Sequence, residues 1–335
     1  MLGIDVSKDN LACTYTDPIS RKILWHDIQP NTIAGINTLQ KKTPLGSSWV
    51  VEPTGRYSHL VVEQATKTGQ VVLLAPPRQA KAFLQSVQRR AKTDKLDAQG
   101  LALFALSVPL QAYRLKEPAV QSVMELLSAR KGVSLCLSRL QQQMSELPAA
   151  AQHLQGAIAD LKARLAALDK QIAKDTKDTP SLSVASALDA VPGIGKVTAA
   201  AVAARLVSKS FTHPDQFVAY IGLDVSVSDS GKHKGRRGLT HQGDAELRRL
   251  LYLCAQANLR CRSSPFKDQY ERERTKGLST TAALCAVARK IARLCWSLHK
   301  YGSEYDAARV TRQGGSGTRD TLPVEESTVK QPSST

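Results

Sequence analysis

Four acidic residues stand where carboxylates are costly unless something holds them. Asp5 lies in "GIDVSK", inside the first apolar, β-type run, and Glu52 lies in "VVEPTG", where a second such run ends. The apolar residues around both include no lysine or arginine, so each carboxylate calls for a partner from elsewhere or for a metal. Asp94 and Asp97 follow in "KTDKLDAQGLA". Three residues apart, they share one face of a helix, where they repel unless a cation sits between them. Brought to one point, four carboxylates would hold two Mg²⁺, hard cations that take carboxylate oxygen and water. A metal pair of roughly 3.5–4 Å separation suits displacement at a phosphodiester. A plainer reading of the pair stays open: Thr93 or Asp94 caps a helix, and acids in its first turn suit the dipole.

The acids are joined by cations. Arg89, Arg90, Lys92 and Lys95 run directly into the acidic pair, placed to hold a nucleic-acid backbone beside it. The whole chain of 335 residues carries a formal net charge of +17, an excess that favours a polyanionic partner, nucleic acid before a membrane surface. The charge recurs at Arg78 to Lys95, Lys232 to Arg237 and Arg248 to Arg274, which suits an extended polymer such as double-stranded DNA. An aromatic content of 5% agrees with backbone binding better than with base stacking. No apolar run is long enough to span a bilayer, no basic amphipathic helix carries Trp or Phe on its other face, and "MLGIDVSKDN" is no signal peptide. The six cysteines form no CxxC pair. These features predict a cytoplasmic protein with reduced thiols, no zinc site and no membrane partner.

Two further stretches hold residues fit for chemistry. In "VPGIGKVTAAAVAARL", Gly193 and Gly195 shape a turn whose amides lead into a helix N-terminus beside Lys196, a ready grip for phosphate. The alternative is a helix corner with glycines for close packing. In "GLDVSVSDSGKHKGRRGLTHQGDAELRRLLY", a turn at Ser228–Gly231 precedes Lys232, His233, Lys234, Arg236 and Arg237, with Arg248 and Arg249 beyond. A serine beside such cations could attack phosphorus, because they favour the alkoxide and steady the developing charge. Ser226, Ser228 and Ser230 are equal on composition, and a phosphate-binding loop with incidental serines is the alternative.

The elements that must position these groups follow from the patterning. Three β-type runs in a meander ("LGIDVS", "LACTYTD", "KILWHDI"), then helix–strand–helix–strand–helix, predict an α/β unit with a mixed sheet and helices on its faces over residues 1–115. Over 116–180, Val133, Leu137, Leu140, Met144 and Leu147, then Leu154, Ile158, Leu161, Leu165, Leu168 and Ile172, form an a/d seam. It serves either a dimerising coiled coil or a helical hairpin within one chain. Residues 181–308 read as an all-α domain interrupted by the glycine turn and the serine loop. The tail, 309–335, rich in Gly, Ser, Thr and Pro, is expected to be disordered.

In this order, "GIDVSK", "VVEPTG", "KTDKLDAQGLA", "VPGIGKVTAAAV", "FVAYIGLDVSVSDSGKHKGRRG" and "GDAELRRLLY" resemble the DEDD transposases of bacterial insertion sequences. That family includes Piv-type DNA invertases and bridge-RNA-guided recombinases. The resemblance implies a RuvC-like (ribonuclease-H-type) domain whose acids are Asp5, Glu52, Asp94 and Asp97. It also implies a coiled-coil linker and a helical transposase domain whose nucleophile is Ser230. It further implies Mg²⁺, donor and target DNA, and a noncoding guide (bridge) RNA. Exchange would pass through a phosphoserine link in a homo-oligomer, a dimer assembling to a tetramer, in the bacterial cytoplasm at the nucleoid. The competing readings are a RuvC-type nuclease without a covalent step and a noncatalytic nucleic-acid-binding dimer.

Overall fold

The computed structural model describes residues 1–53, 55–87, 93–226, 229–230, 233–234, 238–261 and 264–312, with backbone only at 87, 229, 230, 233, 234, 309, 311 and 312. The chain divides into two compact units, Met1–Glu117 and Pro118–Thr335.

The first unit is built on a five-stranded mixed sheet. Strands β1 (Leu2–Val6), β2 (Asn10–Thr16) and β3 (Ile23–Pro30) form an antiparallel meander, closed at its first turn by Ser7 bonding the Asn10 amide and carbonyl. Helix α1 (Ile33–Lys42) then crosses to β4 (Ser48–Val51), and α2 (Tyr57–Lys67) crosses to β5 (Val71–Leu74); both strands run parallel to β1. The sheet order is β3-β2-β1-β4-β5. Helices α3 (Pro77–Val87) and α4 (Asp94–Ser107) complete the unit. Alternation along the strands sorts the faces. Leu2, Ile4, Leu11, Cys13, Trp49 and Val51 pack with Ile36, Leu39, Val61 and Ala65 of α1 and α2. Val50 and Ala75 pack with Ala80, Leu101 and Phe104 of α3 and α4 on the other side. The mixed sheet with helices on both faces is therefore the one the apolar runs predict.

Local signals start the helices. Thr32 caps α1 by accepting from the Gly35 amide at 3.2 Å, and Thr93 caps α4 by accepting from the Leu96 amide at 3.3 Å. Each such cap stabilises by about 1 kcal/mol. Asp94 and Asp97 occupy the first turn of α4, so the capping reading of the acidic pair holds.

The second unit is helical. Helices α5 (Pro118–Glu146) and α6 (Ala151–Asp178) pack on one another, tied by Arg130 and Asp169, whose Nη2–Oδ2 contact is 3.2 Å. The predicted seam lies between them: Leu137, Ile158 and Ile172 are buried, and the remaining seam residues are partly covered except Leu147. The heptad pattern is thus satisfied by a hairpin within one chain. Its base joins the core of the helices that follow, α7 (Val184–Asp189), α8 (Lys196–Ser208), α9 (Pro214–Ile221), α10 (Ala245–Arg260), α11 (Lys267–Thr275) and α12 (Thr280–Tyr301). Val120, Val123, Leu127 and Ile172 all belong to that core. Two-residue β-ladders occur between α9 and α10. A last helix, α13 (Ala307–Arg312), corrects the start of the tail expected to be disordered. Val310 is buried, and its carbonyl accepts from Lys290 Nζ at 3.0 Å. From 313 onward that tail lies outside the described residues. Among the described residues no helix is long and apolar enough to cross a membrane.

Candidate functional site

Strand register brings the first two acids to one edge. β1 and β4 are parallel neighbours paired Gly3↔Val50 and Ile4↔Val51, so Asp5 and Glu52 follow as the next residues of the two strands. Asp5 alternates with Ile4 and shares the face of Gly3, toward α4. The same alternation carried one residue past β4 puts Glu52 on the face of Val50, which packs against α4. Both acids are partly buried and both have polar or electrostatic partners.

Helix α4, which carries the second pair in its first turn, packs on that face. A Cβ at Gly3 would overlap the Ala98 carbonyl oxygen and lie 2.8 Å from the Ala102 amide. The helix backbone therefore rests directly on β1, two residues before Asp5, and Asp97 immediately precedes the contact residue Ala98. Asp97 is partly buried and Asp94 exposed. The donor set fits a divalent cation chemically, being four hard carboxylates on three elements that meet on one sheet face. The ligand shell is not closed: among the described residues, no group of three or more His, Cys, Asp or Glu side chains lies close enough to share a metal ion.

Two residues singled out by no sequence motif lie against the start of α4. Thr14, buried in β2 opposite Gly3, contacts the Lys95 carbonyl at 3.3 Å and His26 Nδ1, on β3, at 2.7 Å. Desolvation lowers the His26 pKa, and the positive charge of Lys95 lowers it further, which favours neutral imidazole. The available sequence signal was a hydroxyl at a covered position of "LACTYT" with a histidine on the next strand. Of the cations expected beside the acids, Lys95 is exposed, while Arg89, Arg90 and Lys92 lie outside the described residues.

In the helical unit the glycine turn has a structural cause. Gly193 has φ +81°, and a Cβ there would lie 2.5 Å from Asn258 Nδ2 and 2.7 Å from the Cys254 carbonyl. Asn258 is buried; its Nδ2 donates to Pro192 O at 2.6 Å and Cys254 O at 2.9 Å, and its Oδ1 accepts from Ser264 Oγ at 2.7 Å. The close-packing reading therefore holds for Gly193. Gly195 differs: it is exposed, has open space where a Cβ would be, and caps α8 without a side-chain bond, next to exposed Lys196.

The serine loop is described mainly at its root. Gly222 ends α9 with φ +76°, and Arg248 Nη1 donates to the Ile221 carbonyl at 2.8 Å. Arg289 Nε donates to Leu223 O at 3.0 Å. Strands β6 (Val225–Ser226) and β9 (Gly238–Leu239) pair, and the Thr240 amide donates to Asp224 O at 3.1 Å beside a hydroxyl–carboxylate bond between the same residues. Within the loop, β7 (Asp229–Ser230) pairs antiparallel with β8 (His233–Lys234), Ser230 opposite His233. Ser226 is exposed; Ser228, Lys232, Arg236 and Arg237 lie outside the described residues. Arg249 is engaged within the chain, at 2.6 Å from Glu246, which Lys131 also approaches at 3.5 Å. The hydrogen bond from Arg249, opposed by desolvation and reinforced by both cations, holds the Glu246 carboxyl below its usual range.

The sheet unit with acids at adjoining strand ends and the helical unit with a rooted polar loop each match a family of known proteins. Residues 2–148 match a DEDD-type family model described as "Transposase", and residues 185–271 match "Transposase IS116/IS110/IS902 family". The chain belongs to that IS110-type transposase family. It is 31% identical over 119 residues to the "Transposase for insertion sequence element IS1328" of Yersinia enterocolitica, covering 34% of this chain and 35% of that protein. It is 27% identical to a "Probable family 20 transposase" of Pseudomonas aeruginosa, covering 52% and 54% of the two chains. Identity to the "Pilin gene-inverting protein" of Moraxella lacunata is 25% over 91% of this chain and 97% of that one. The match thus spans only about a third to a half of the first two transposases' lengths, but nearly all of the inverting protein.

Proposed function

We propose that this protein cuts and rejoins DNA strands to move or invert a mobile element. The carrying observation is the register Ile4↔Val51, with α4 seated on the same sheet face at Gly3. On this reading the first unit is RuvC-like, and Asp5, Glu52, Asp94 and Asp97 hold Mg²⁺, two ions per site. When bound, the cations orient the scissile phosphate and neutralise charge that develops on its oxygens. Ser230 attacks phosphorus: an Oγ–P bond forms, one P–O bond to deoxyribose breaks, and the hydroxyl proton passes to a base while the leaving sugar oxygen takes one up. The phosphoserine ester retains the bond energy that hydrolysis would discard, so a second exchange can rejoin the strands.

Lys95 beside the acids and Lys196 at the open start of α8 are exposed cations suited to backbone phosphates. Arg89, Arg90, Lys92, Gly193, Gly195, Lys232, His233, Lys234, Arg236, Arg237, Arg248 and Arg249 complete the proposed nucleic-acid surface. Arg248 and Arg249 contribute through the guanidinium edges not spent on Ile221 and Glu246. A guide RNA pairing with donor and target would supply sequence choice, leaving shape and charge to the protein. A dimer assembling to a tetramer would supply the strand cuts that two duplexes require. Since the a/d seam is closed within one chain, the hairpin would dimerise through surface other than that seam.

The test compares wild type with Ser230→Ala on a DNA substrate carrying the element's end. The proposal expects a denaturant-resistant protein–DNA species from wild type and neither that species nor cut strands from the variant. Undiminished cutting by Ser230→Ala would assign the chemistry to metal-dependent hydrolysis instead.

A further inference from the structure

We propose that Thr14 is a positioning residue for the acids of α4: its hydroxyl fixes the rotation of the first helical turn, so that Asp94 and Asp97 face the edge holding Asp5 and Glu52. This rests on the metal-binding reading above and adds a device the four-acid pattern does not contain. The contact between Gly3 and Ala98 sets how closely α4 approaches β1, and Leu101 and Phe104 anchor its later turns, but all of these contacts lie C-terminal to Asp94 and Asp97 and leave the roll of the first turn to be set by another group. Roll matters here because Asp94 and Asp97 are on one side of the turn. Thr14 reaches the Lys95 carbonyl, which lies between the two acids in sequence, from a strand 81 residues away.

A threonine hydroxyl has one proton. It serves both neighbours only by donating to Lys95 O and accepting from His26 Nδ1–H, which places the neutral imidazole's proton on Nδ1. His26 therefore orients the hydroxyl, and the hydroxyl orients the turn. Thr14 is buried and His26 half-buried, so no competing water-exposed rotamer is needed to explain the pair. Partners that orient metal ligands in this way typically change metal affinity when removed.

The experiment measures Mn²⁺ binding to the full chain by the electron paramagnetic resonance signal of free Mn²⁺, alongside the melting temperature. Thr14→Val keeps the shape and removes the hydroxyl; it is expected to weaken Mn²⁺ binding by roughly tenfold or more, and Thr14→Ser is expected to restore it. His26→Ala, on the edge strand, is expected to weaken binding in the same direction, and it serves as the reporter if Thr14→Val does not fold. Asp97→Asn is the control for the site itself. Loss of binding in Asp97→Asn together with wild-type binding in Thr14→Val or His26→Ala overturns the positioning role and leaves the metal site standing. Wild-type binding in Asp97→Asn removes the metal site, and the positioning role with it.

Discussion

The acid edge of the sheet unit and the serine loop of the helical unit carry the two halves of the proposed chemistry, and they are built by opposite means. Asp5 is placed within β1, Glu52 directly after the last parallel pair of β1 with β4, and Asp97 by a helix resting on glycine backbone. Asp5 and Asp97 stand within regular elements, and Glu52 directly at the end of one. Ser230 stands on a two-residue strand in a loop fastened at its root by side chains: Arg248 on Ile221 O, Arg289 on Leu223 O, Thr240 on Asp224. Regular structure suits the proposed role of these carboxylates, which would have to converge closely on one ion. A loop on a firm root suits a nucleophile that must reach a polymer and later release it.

The sharpest way to break this contrast is to remove one acid and watch which function disappears. Asp97→Asn is expected to lower strand cutting by about a thousandfold or more, since a lost carboxylate forfeits several kcal/mol of charge stabilisation. DNA binding, measured in the same buffer by fluorescence anisotropy, is expected to persist because the cations remain. Equal loss of binding would mean that the acids serve the fold and not the chemistry.

A second pair of substitutions compares the two kinds of glycine. Gly3→Ala forces a methyl into the Ala98 carbonyl, and Gly193→Ala combines φ +81° with an approach of 2.5 Å to Asn258. Each is expected to cost about 1–3 kcal/mol in chemical denaturation. Only Gly3→Ala should also depress Mn²⁺ binding, because it lifts α4 away from β1. Gly195→Ala, with open space around it, should leave stability nearly unchanged.

The smallest effect concerns Arg249. Its partner Glu246 has a lowered pKa, so the stabilisation exists above the ordinary glutamate range and is lost as pH falls through the lowered value. The Arg249 side chain is about half exposed and Glu246 partly covered, so solvent screens the pair from the arginine side. Arg249→Ala is expected to cost under about 1 kcal/mol at neutral pH and to flatten the acid-side decline of the melting temperature. A large cost would give this ion pair a role in the helical core that the exposure of Arg249 argues against.

Much of the sheet unit is legible in the sequence because apolar runs ending on Asp, Glu, Gly and Pro are local signals. "SWVVEPTG" alone announces a buried strand with an acid at its carboxyl end. What could not be read is what lies opposite. The seam from Val133 to Ile172 has the same spacing whether its partner is another chain or the returning helix, and only the Arg130–Asp169 pair and the shared core show the latter. The reason for Gly193 sits at Asn258, 65 residues further on, and the partner of the Lys95 carbonyl is on β2. Arg248 and Arg249 read in the sequence as cations open to a backbone because their acceptors, a carbonyl at the end of α9 and Glu246 on the adjoining turn, carry no motif. Val310 falls within the polar tail of the sequence because one apolar contact cannot be seen in a Gly/Ser-rich composition.

The central claim is that strand-end acids and the first turn of α4 form one divalent-metal site. Anomalous diffraction from crystals of the full chain soaked in Mn²⁺ tests it most directly. The account predicts density ligated by both Asp5 and Asp97, at oxygen distances of about 2.0–2.3 Å. Mn²⁺ bound to either residue without the other, or density only elsewhere on the molecule, would contradict it.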